Sequence, residues 1–394
     1  MIGEPVAKNG MTRTAADDTA SQAEHRRLLA DSVADFTQRG TTIARVRRLR
    51  GTDAEYDRAV WKQMADLGWL GILLPERYGG LGLGLTEAAI VAKGLARALT
   101  PEPLTAAAVM AATALAAGEN EALKQSQLPQ VAAGTVLPAL AWQERAGDLD
   151  SGAIEVRALA FEGGYKVSGT KRYIAGSAQC DALLVTAGAE QGPVLLWMPR
   201  ATAGVQLARE PLADGRSFGT LELADALVPR AQVIAQGAAA TEAVARALDH
   251  GAAIVAAELA GVMERALEMS LDYLRTRVQF GKPIGAFQAL QHRAVDLHIQ
   301  KELAGAVLDE ALAALDRGPA PDTRAAIASR VKARCADAAL KITREAIQLH
   351  GAIGFTDEYD AGLYLKRAMT LAAWLGGPVW HRRRYARLTA EGAA

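Results

Sequence analysis

Apolar residues, chiefly alanine and leucine, recur at three- and four-residue spacing from Ser21 to about Gly134, with breaks at Gly79-Gly80, Pro101 and Pro103. That period belongs to amphipathic helices, so an all-helical segment is expected there. Between about Leu137 and Val233 the chain changes to short apolar runs divided by turn residues, among them Ala158 to Glu162, Tyr165 to Val167, Ala182 to Thr186 and Val194 to Met198. Gly163-Gly164 between two such runs signals a hairpin, and a compact antiparallel β domain is expected. The helical period returns from Thr241. Thr323 to Leu349 runs 27 residues without Pro or Gly, preceded by Gly318-Pro319-Ala320-Pro321 and closed by Gly351; a helix of that length spans about 40 Å. An earlier helix, from about Glu242 to Arg277, is apolar around most of its circumference near Ala252 to Ala260, as suits a helix enclosed by others. The expected fold class is α+β, with a mobile leader (1–20), an N-terminal helical domain (21–135), a middle β domain (136–240) and a C-terminal helical domain (241–394).

Composition narrows the function. The 394 residues carry 44 basic and 44 acidic side chains, a balance without the electrostatic footprint of a nucleic-acid binder. Cys180 and Cys335 are the only cysteines, which excludes a disulfide scaffold and suits a reducing, cytoplasmic setting. No two of the six histidines stand three or four residues apart, so no metal site is expected. No apolar run approaches the roughly 18 residues of a bilayer span, and the polar first 20 residues lack the apolar stretch of an export signal.

Two local signals are weak. Gly80-Leu81-Gly82-Leu83-Gly84 lacks the surrounding βαβ unit of a dinucleotide loop and reads as an interhelix turn. Arg382-Arg383-Arg384 could hold a phosphate, but reads first as a solvated basic helix end.

Four longer segments carry more. They are Leu67-Gly68-Trp69-Leu70-Gly71-Ile72-Leu73-Leu74-Pro75-Glu76-Arg77-Tyr78-Gly79-Gly80-Leu81-Gly82, then Gly169-Thr170-Lys171-Arg172-Tyr173-Ile174, then Arg277-Val278-Gln279-Phe280-Gly281-Lys282-Pro283-Ile284 followed by Phe287-Gln288, and last Gln348-Leu349-His350-Gly351-Ala352-Ile353-Gly354-Phe355 with Glu358-Tyr359. In this order and spread over roughly residues 25–388, they resemble the acyl-CoA dehydrogenase family. The resemblance implies a C-terminal four-helix bundle, FAD as cofactor, and α,β-dehydrogenation of an acyl thioester. In that reaction a desolvated carboxylate removes the α-proton and the β-hydrogen leaves as hydride to the flavin.

Most members of the family carry the base as Glu 17 residues after the Glu of the Glu-Tyr pair. Counting from Glu358 reaches Leu375, followed by Gly376 and Gly377. Some relatives place the base on the long helix ahead of the Arg-x-x-Phe-Gly motif, and that position is Gly251, with Ala252 where many members have Arg. Neither residue can take a proton. Asp249, His250 and Glu144 are the weak substitutes, although a neighbour along a helix points about 100° away. The flavin-side pattern departs as well, with Gln143-Glu144-Arg145, Ala175, Gly377 and Val379 where the resemblance implies Thr-Glu-Pro, Thr, Thr and Gln.

The positions with which members grip the ADP half of a neighbouring subunit's FAD are matched, as Arg277, Phe280, Gln288, Gln348 and Gly351. Arginine offers a planar fork of donors to pyrophosphate, and glycine admits close backbone approach. The bland alternatives are that Phe280 is core, Arg277 caps its helix and the glutamines bond backbone. This asymmetry resembles the non-catalytic small subunit of heteromeric acyl-CoA dehydrogenases of the pimeloyl-CoA and steroid side-chain types. The expectation is a heterotetramer, a dimer of heterodimers, in which a Glu-bearing homologous partner supplies the base and this chain completes its FAD site. The rival expectations are a homo-oligomeric dehydrogenase with an atypical base and a non-redox structural or regulatory paralogue.

Overall fold

The computed structural model describes residues 15–40, 43–149 and 151–391. Residues 1–14, most of the expected leader, lie outside the described residues, and helix α1 (Ala15–Gly40) begins within the remainder. Helices α2 (Ile43–Leu49), α3 (Arg58–Asp66), α4 (Leu85–Arg97), α5 (Ala112–Ala116) and α6 (Glu121–Ala132) complete the N-terminal part. Their ends follow capping chemistry. Asp57 accepts from the Ala59 N–H at 2.8 Å to start α3, and Asn120 accepts from the Leu123 N–H at 3.0 Å to start α6; such caps satisfy donors that the helix leaves orphaned. Helix α4 borrows its cap, since the distant Asp316 accepts from the Leu85 N–H at 2.6 Å and places negative charge at the helix start. The Gly80 to Gly84 segment is the turn leading into α4. Ahead of α5, Leu104–Ala111 forms a wide π-helical stretch that is buried throughout.

Eight strands form one sheet: β1 (Pro138–Ala141), β2 (Arg157–Phe161), β3 (Gly164–Ala175), β4 (Ala182–Ala189), β5 (Gly192–Pro199), β6 (Val205–Pro211), β7 (Ser217–Pro229) and β8 (Val233–Gln236), in the order β6-β7-β3-β2-β4-β5-β8 with β1 beside β4. Pairing is antiparallel except where β1 and the start of β2 run parallel to β4. In the β2–β3 hairpin Phe161 pairs with Gly164, so the turn residues are Glu162 and Gly163. Gly164 has a different reason to be glycine: an added Cβ would lie 2.1 Å from the Val228 carbonyl oxygen of β7.

Helix α7 (Gly237–Thr276), a short hairpin of β9 (Val278–Gln279) and β10 (Lys282–Pro283), then α8 (Gln288–Asp316), α9 (Pro321–His350), α10 (Ala361–Ala373) and α11 (Pro378–Glu391) make the C-terminal bundle. Proline opens α9 because the first turn needs no N–H from it. One buried arginine touches all three parts. From α10, Arg367 donates to Asp214 of the β6–β7 loop at 2.8 Å and to the carbonyls of Leu99 and Thr100 at 3.2 and 3.3 Å. No described helix is long and apolar enough to cross a membrane.

Candidate active site and nucleotide-binding surface

The two positions at which a base is expected converge in space. Gly251 lies buried in the middle of α7 and Leu375 in the loop between α10 and α11. A Cβ built on Gly251 would stand 3.1 Å from Leu375 Cδ1 and 2.7 and 2.8 Å from Met110 Cγ and Sδ. The space in which a carboxylate would work is filled with hydrocarbon and a thioether. Leu375 is held at φ +60°, the left-handed region that a leucine rarely adopts. Its surroundings enforce that shape. The buried Lys332 ammonium donates to the carbonyls of Ala372 and Gly376, each at 3.1 Å, and His381 Nε2–H donates to the Leu375 carbonyl at 3.0 Å. Burial pulls Lys332 down to about 7 and His381 down to about 3. The cavity next to Leu375, walled by Trp142, Leu149, Ala252, Trp380 and His381, holds about 50 Å³, whereas small-molecule and cofactor pockets run to roughly 300–1,000 Å³.

The substitute carboxylates are engaged elsewhere. Asp249 is fully buried and clamped, with Arg324 Nε donating to Oδ2 at 2.9 Å and Arg384 Nη1 to Oδ1 at 2.8 Å. It ties α7 to α9 and α11. Glu144 accepts from the buried Lys171 ammonium at 2.5 Å and from the backbone N–H groups of Glu155 and Val156 at 2.6 and 3.1 Å, so it anchors the loop between β1 and β2. Desolvation lowers Lys171 to about 8 against the raising effect of Glu144. His250, lowered to about 4 by burial and by Arg324, is a neutral imidazole.

On the other side of Trp374 and Ala175, between α4, the 100–106 segment and α7, a cavity of about 40 Å³ is bordered by Glu55, Glu102, Glu258 and Arg216. It has room for little more than a water or two. Thr105 donates to Glu258 at 2.5 Å, Arg45 pairs with Glu102, and Ser217 donates to Glu55. Sequence reasoning missed this network along with Met110, Lys332 and His381, whose contacts to the site come from positions remote along the chain. Lys332 left one faint trace, a lysine inside the otherwise apolar run Val331 to Ala333 of α9.

The residues expected to grip a nucleotide all face outward. Arg277, Phe280, Gln288, Gln348 and Gly351 are exposed. Phe280 is not core: 91 % of it is accessible, and it sits at φ +53° beside Gly281 at φ +78° in the β9–β10 turn. An exposed aromatic held in a strained turn marks a functional surface more often than a packing one. Arg277 does occupy the C-cap of α7, through its backbone N–H to Tyr273, while its guanidinium has no ion-pair partner among the described residues. The side chains of Gln288 and Gln348 bond to no backbone group among the described residues. Gly351, at φ +64° and ψ −139°, adopts a conformation reserved for glycine. Arg382 pairs with Asp337 and Arg384 with Asp249, so two of the three consecutive arginines serve ion pairs.

A long-helix bundle packs against an eight-stranded sheet, with Arg277, Phe280, Gln348 and Gly351 exposed at and just beyond the ends of α7 and α9. Residues 23–135 match the acyl-CoA dehydrogenase N-terminal domain and residues 241–388 the acyl-CoA dehydrogenase C-terminal domain. The chain belongs to the acyl-CoA dehydrogenase family. The acyl-CoA dehydrogenase IpdE2 of Mycobacterium tuberculosis is 31% identical over 358 residues, covering 90% of this chain and 94% of that protein. Among solved structures, the Tcur3481-Tcur3483 steroid ACAD superposes with a TM-score of 0.85 at 30% identity, over 94% of this chain and 99% of that one. The ChsE4-ChsE5 complex from Mycobacterium tuberculosis gives 0.84 at 26% identity, over 96% and 98%. FAD is the cofactor of the family. Tested against it, the 50 Å³ cavity beside Leu375 is too small for an isoalloxazine ring, while the unpaired Arg277, the exposed Phe280 and the glycine-only turn at Gly351 fit a dinucleotide tail.

Proposed function

We propose that this chain is the non-catalytic subunit of a heteromeric, FAD-dependent acyl-CoA dehydrogenase. A homologous, Glu-bearing partner supplies the base, and this chain completes the partner's FAD site through Arg277, Phe280, Gln288, Gln348 and Gly351. FAD supplies the hydride acceptor for desaturation of the acyl thioester. The role of this chain is to neutralise and orient the pyrophosphate with Arg277 and to present aromatic and amide surface to the adenosine. The reading rests above all on one observation: both base positions, Gly251 and Leu375, close on each other with no carboxylate between them. The small charged cavity beside Trp374 supports it further, because no acyl chain enters about 40 Å³. The acyl-CoA is therefore held by the partner. The name of the Tcur3481-Tcur3483 steroid ACAD favours a bulky, steroid-type acyl group over a short one, and the ChsE4-ChsE5 structure, named as a complex, favours a two-chain assembly.

Co-expression with homologous reading frames, followed by purification and measurement of flavin per pair of chains, tests this. One FAD per heterodimer is expected. A yellow, active homomer, or two FAD per pair, contradicts it, and a flavin-free assembly without activity favours a structural paralogue.

A further inference from the structure

The ends of α7 and α9 carry the two halves of the nucleotide grip, and they meet at one buried ring. His350, 3 % exposed, is the last residue of α9, directly before Gly351 and two after Gln348. Its imidazole lies between Tyr273 and Tyr359, with ring centroids at 4.6 and 4.5 Å and interplanar angles of 37° and 43°. The two tyrosines themselves are 6.4 Å apart. Tyr273 is one turn before Arg277 on α7 and accepts the Arg277 N–H at 2.9 Å, and the Arg277 carbonyl in turn accepts the Ile284 N–H at 2.8 Å. Tyr359 comes from the segment after the Gly351–Phe355 turn. A single aromatic stack therefore joins the Arg277 arm, the Gln348–Gly351 arm and the chain that follows.

The hydrogen bonding of His350 fixes its tautomer. Nδ1 lies 2.6 Å from the Ala346 carbonyl oxygen, an acceptor, so Nδ1 carries the proton. Nε2 is buried with no hydrogen-bond partner. Burial lowers the affinity of His350 for a second proton, against the backbone groups of Ala346 and Met269, which favour it. What remains is a neutral, flat ring whose service is shape rather than charge, and offset aromatic contacts of this kind add stabilisation and geometric preference beyond area burial.

We propose that His350, stacked between Tyr273 and Tyr359, is a positioning residue that sets the separation of the two arms that grip the partner's FAD. The inference rests on the heteromeric reading above. It assigns to these three residues no contact with FAD: they act through Arg277, Gln348 and Gly351. Tight association of a dinucleotide with two arms requires that both be in place before binding, since ordering them afterwards subtracts from affinity.

The test uses the assembled complex of this chain with the homologous subunit that co-purifies with it, titrated with FAD by flavin fluorescence, with assembly checked by size-exclusion chromatography. His350→Asn keeps a donor near the Nδ1 position but removes the ring, and should raise the FAD dissociation constant about tenfold while kcat at saturating FAD stays unchanged. His350→Phe restores a flat ring without the Nδ1 donor and should return the dissociation constant to within about twofold of the parent. If Phe fails to rescue while Asn behaves like the parent, the hydrogen bond and not the stack is what matters, and the proposal is overturned. The control is Arg277→Ala: if it leaves FAD affinity unchanged, the underlying reading of the nucleotide surface fails. If Arg277→Ala weakens FAD and His350→Asn does not, only the positioning role falls.

Discussion

Gly251 and Leu375 close a pocket from opposite sides: a single methyl group added to the first would stand 3.1 Å from Cδ1 of the second and 2.8 Å from the sulfur of Met110. The two positions at which a base is expected border one place in space, and neither carries a carboxylate. A Cβ at 251 would force the Met110 side chain to shift. Gly251→Ala should lower stability by about 1–3 kcal/mol through overpacking, in spite of the roughly 1 kcal/mol that alanine gains over glycine within a helix. Urea unfolding of Gly251→Ala with and without Met110→Ala checks this; the double variant should lose less than the sum of the two single ones.

Asp249 bridges two arginines in the interior, and Arg324 is itself almost fully buried. Removing Asp249 leaves Arg324 with Glu242 as its remaining partner, at 2.7 Å, and Arg384 without its ion pair, so the cost should reach at most the roughly 3–5 kcal/mol of a broken buried pair. Asp249→Ala should show that loss in denaturant unfolding. In any assembled complex that survives, turnover per flavin should be unchanged.

Stability should depend on pH in a way that identifies Lys332. Its folded pKa of about 7 lies below the ordinary lysine value of 10.5, so between those values the unfolded chain binds the extra proton and stability rises with pH. The cost of burying the charged Lys332 is fully present below pH 7 and is gone above 10.5, where both folded and unfolded chains hold the neutral amine. Lys332→Met should flatten this rise by up to about 1.4 kcal/mol per pH unit. His381, lowered to about 3, adds a second slope, with stability lost as pH falls from 6.5 towards 3. Chemical denaturation across pH 4–9 separates the two groups.

Gly351 tests the outward surface by backbone alone. Nothing lies within 4 Å of a Cβ placed there, yet its φ of +64° disfavours any side chain. Gly351→Ala should impose about 1–3 kcal/mol of local strain, lowering the melting of the isolated chain by a few degrees, and should weaken FAD retention by the assembled complex, measured by flavin release on dilution.

Much of the fold is legible along the chain because it rests on local periodicity. The long helix expected from Thr323 to Leu349 spans Pro321–His350, and the expected hairpin forms one residue earlier than the glycine pair suggested. The sheet's parallel pairs were not legible, since β1 and the start of β2 meet β4 only through tertiary contact. At the site, the apolar replacements at Leu375 and Gly251 are visible by counting from motifs. Their convergence is not, because Met110, Lys332 and His381 are brought to Leu375 by packing between remote segments. The engagement of Glu144 and Asp249 is equally hidden: nothing in their neighbourhoods along the chain announces Lys171, Arg324 or Arg384 as partners.

The absence of a base is tested most directly by proton exchange. The purified chain, supplied with FAD and a saturated acyl-CoA in deuterium oxide without any partner, should incorporate no deuterium at the α-carbon beyond the buffer rate, as read by mass spectrometry. Exchange catalysed by this chain alone, and abolished by Asp249→Asn or Glu144→Gln, would contradict the account.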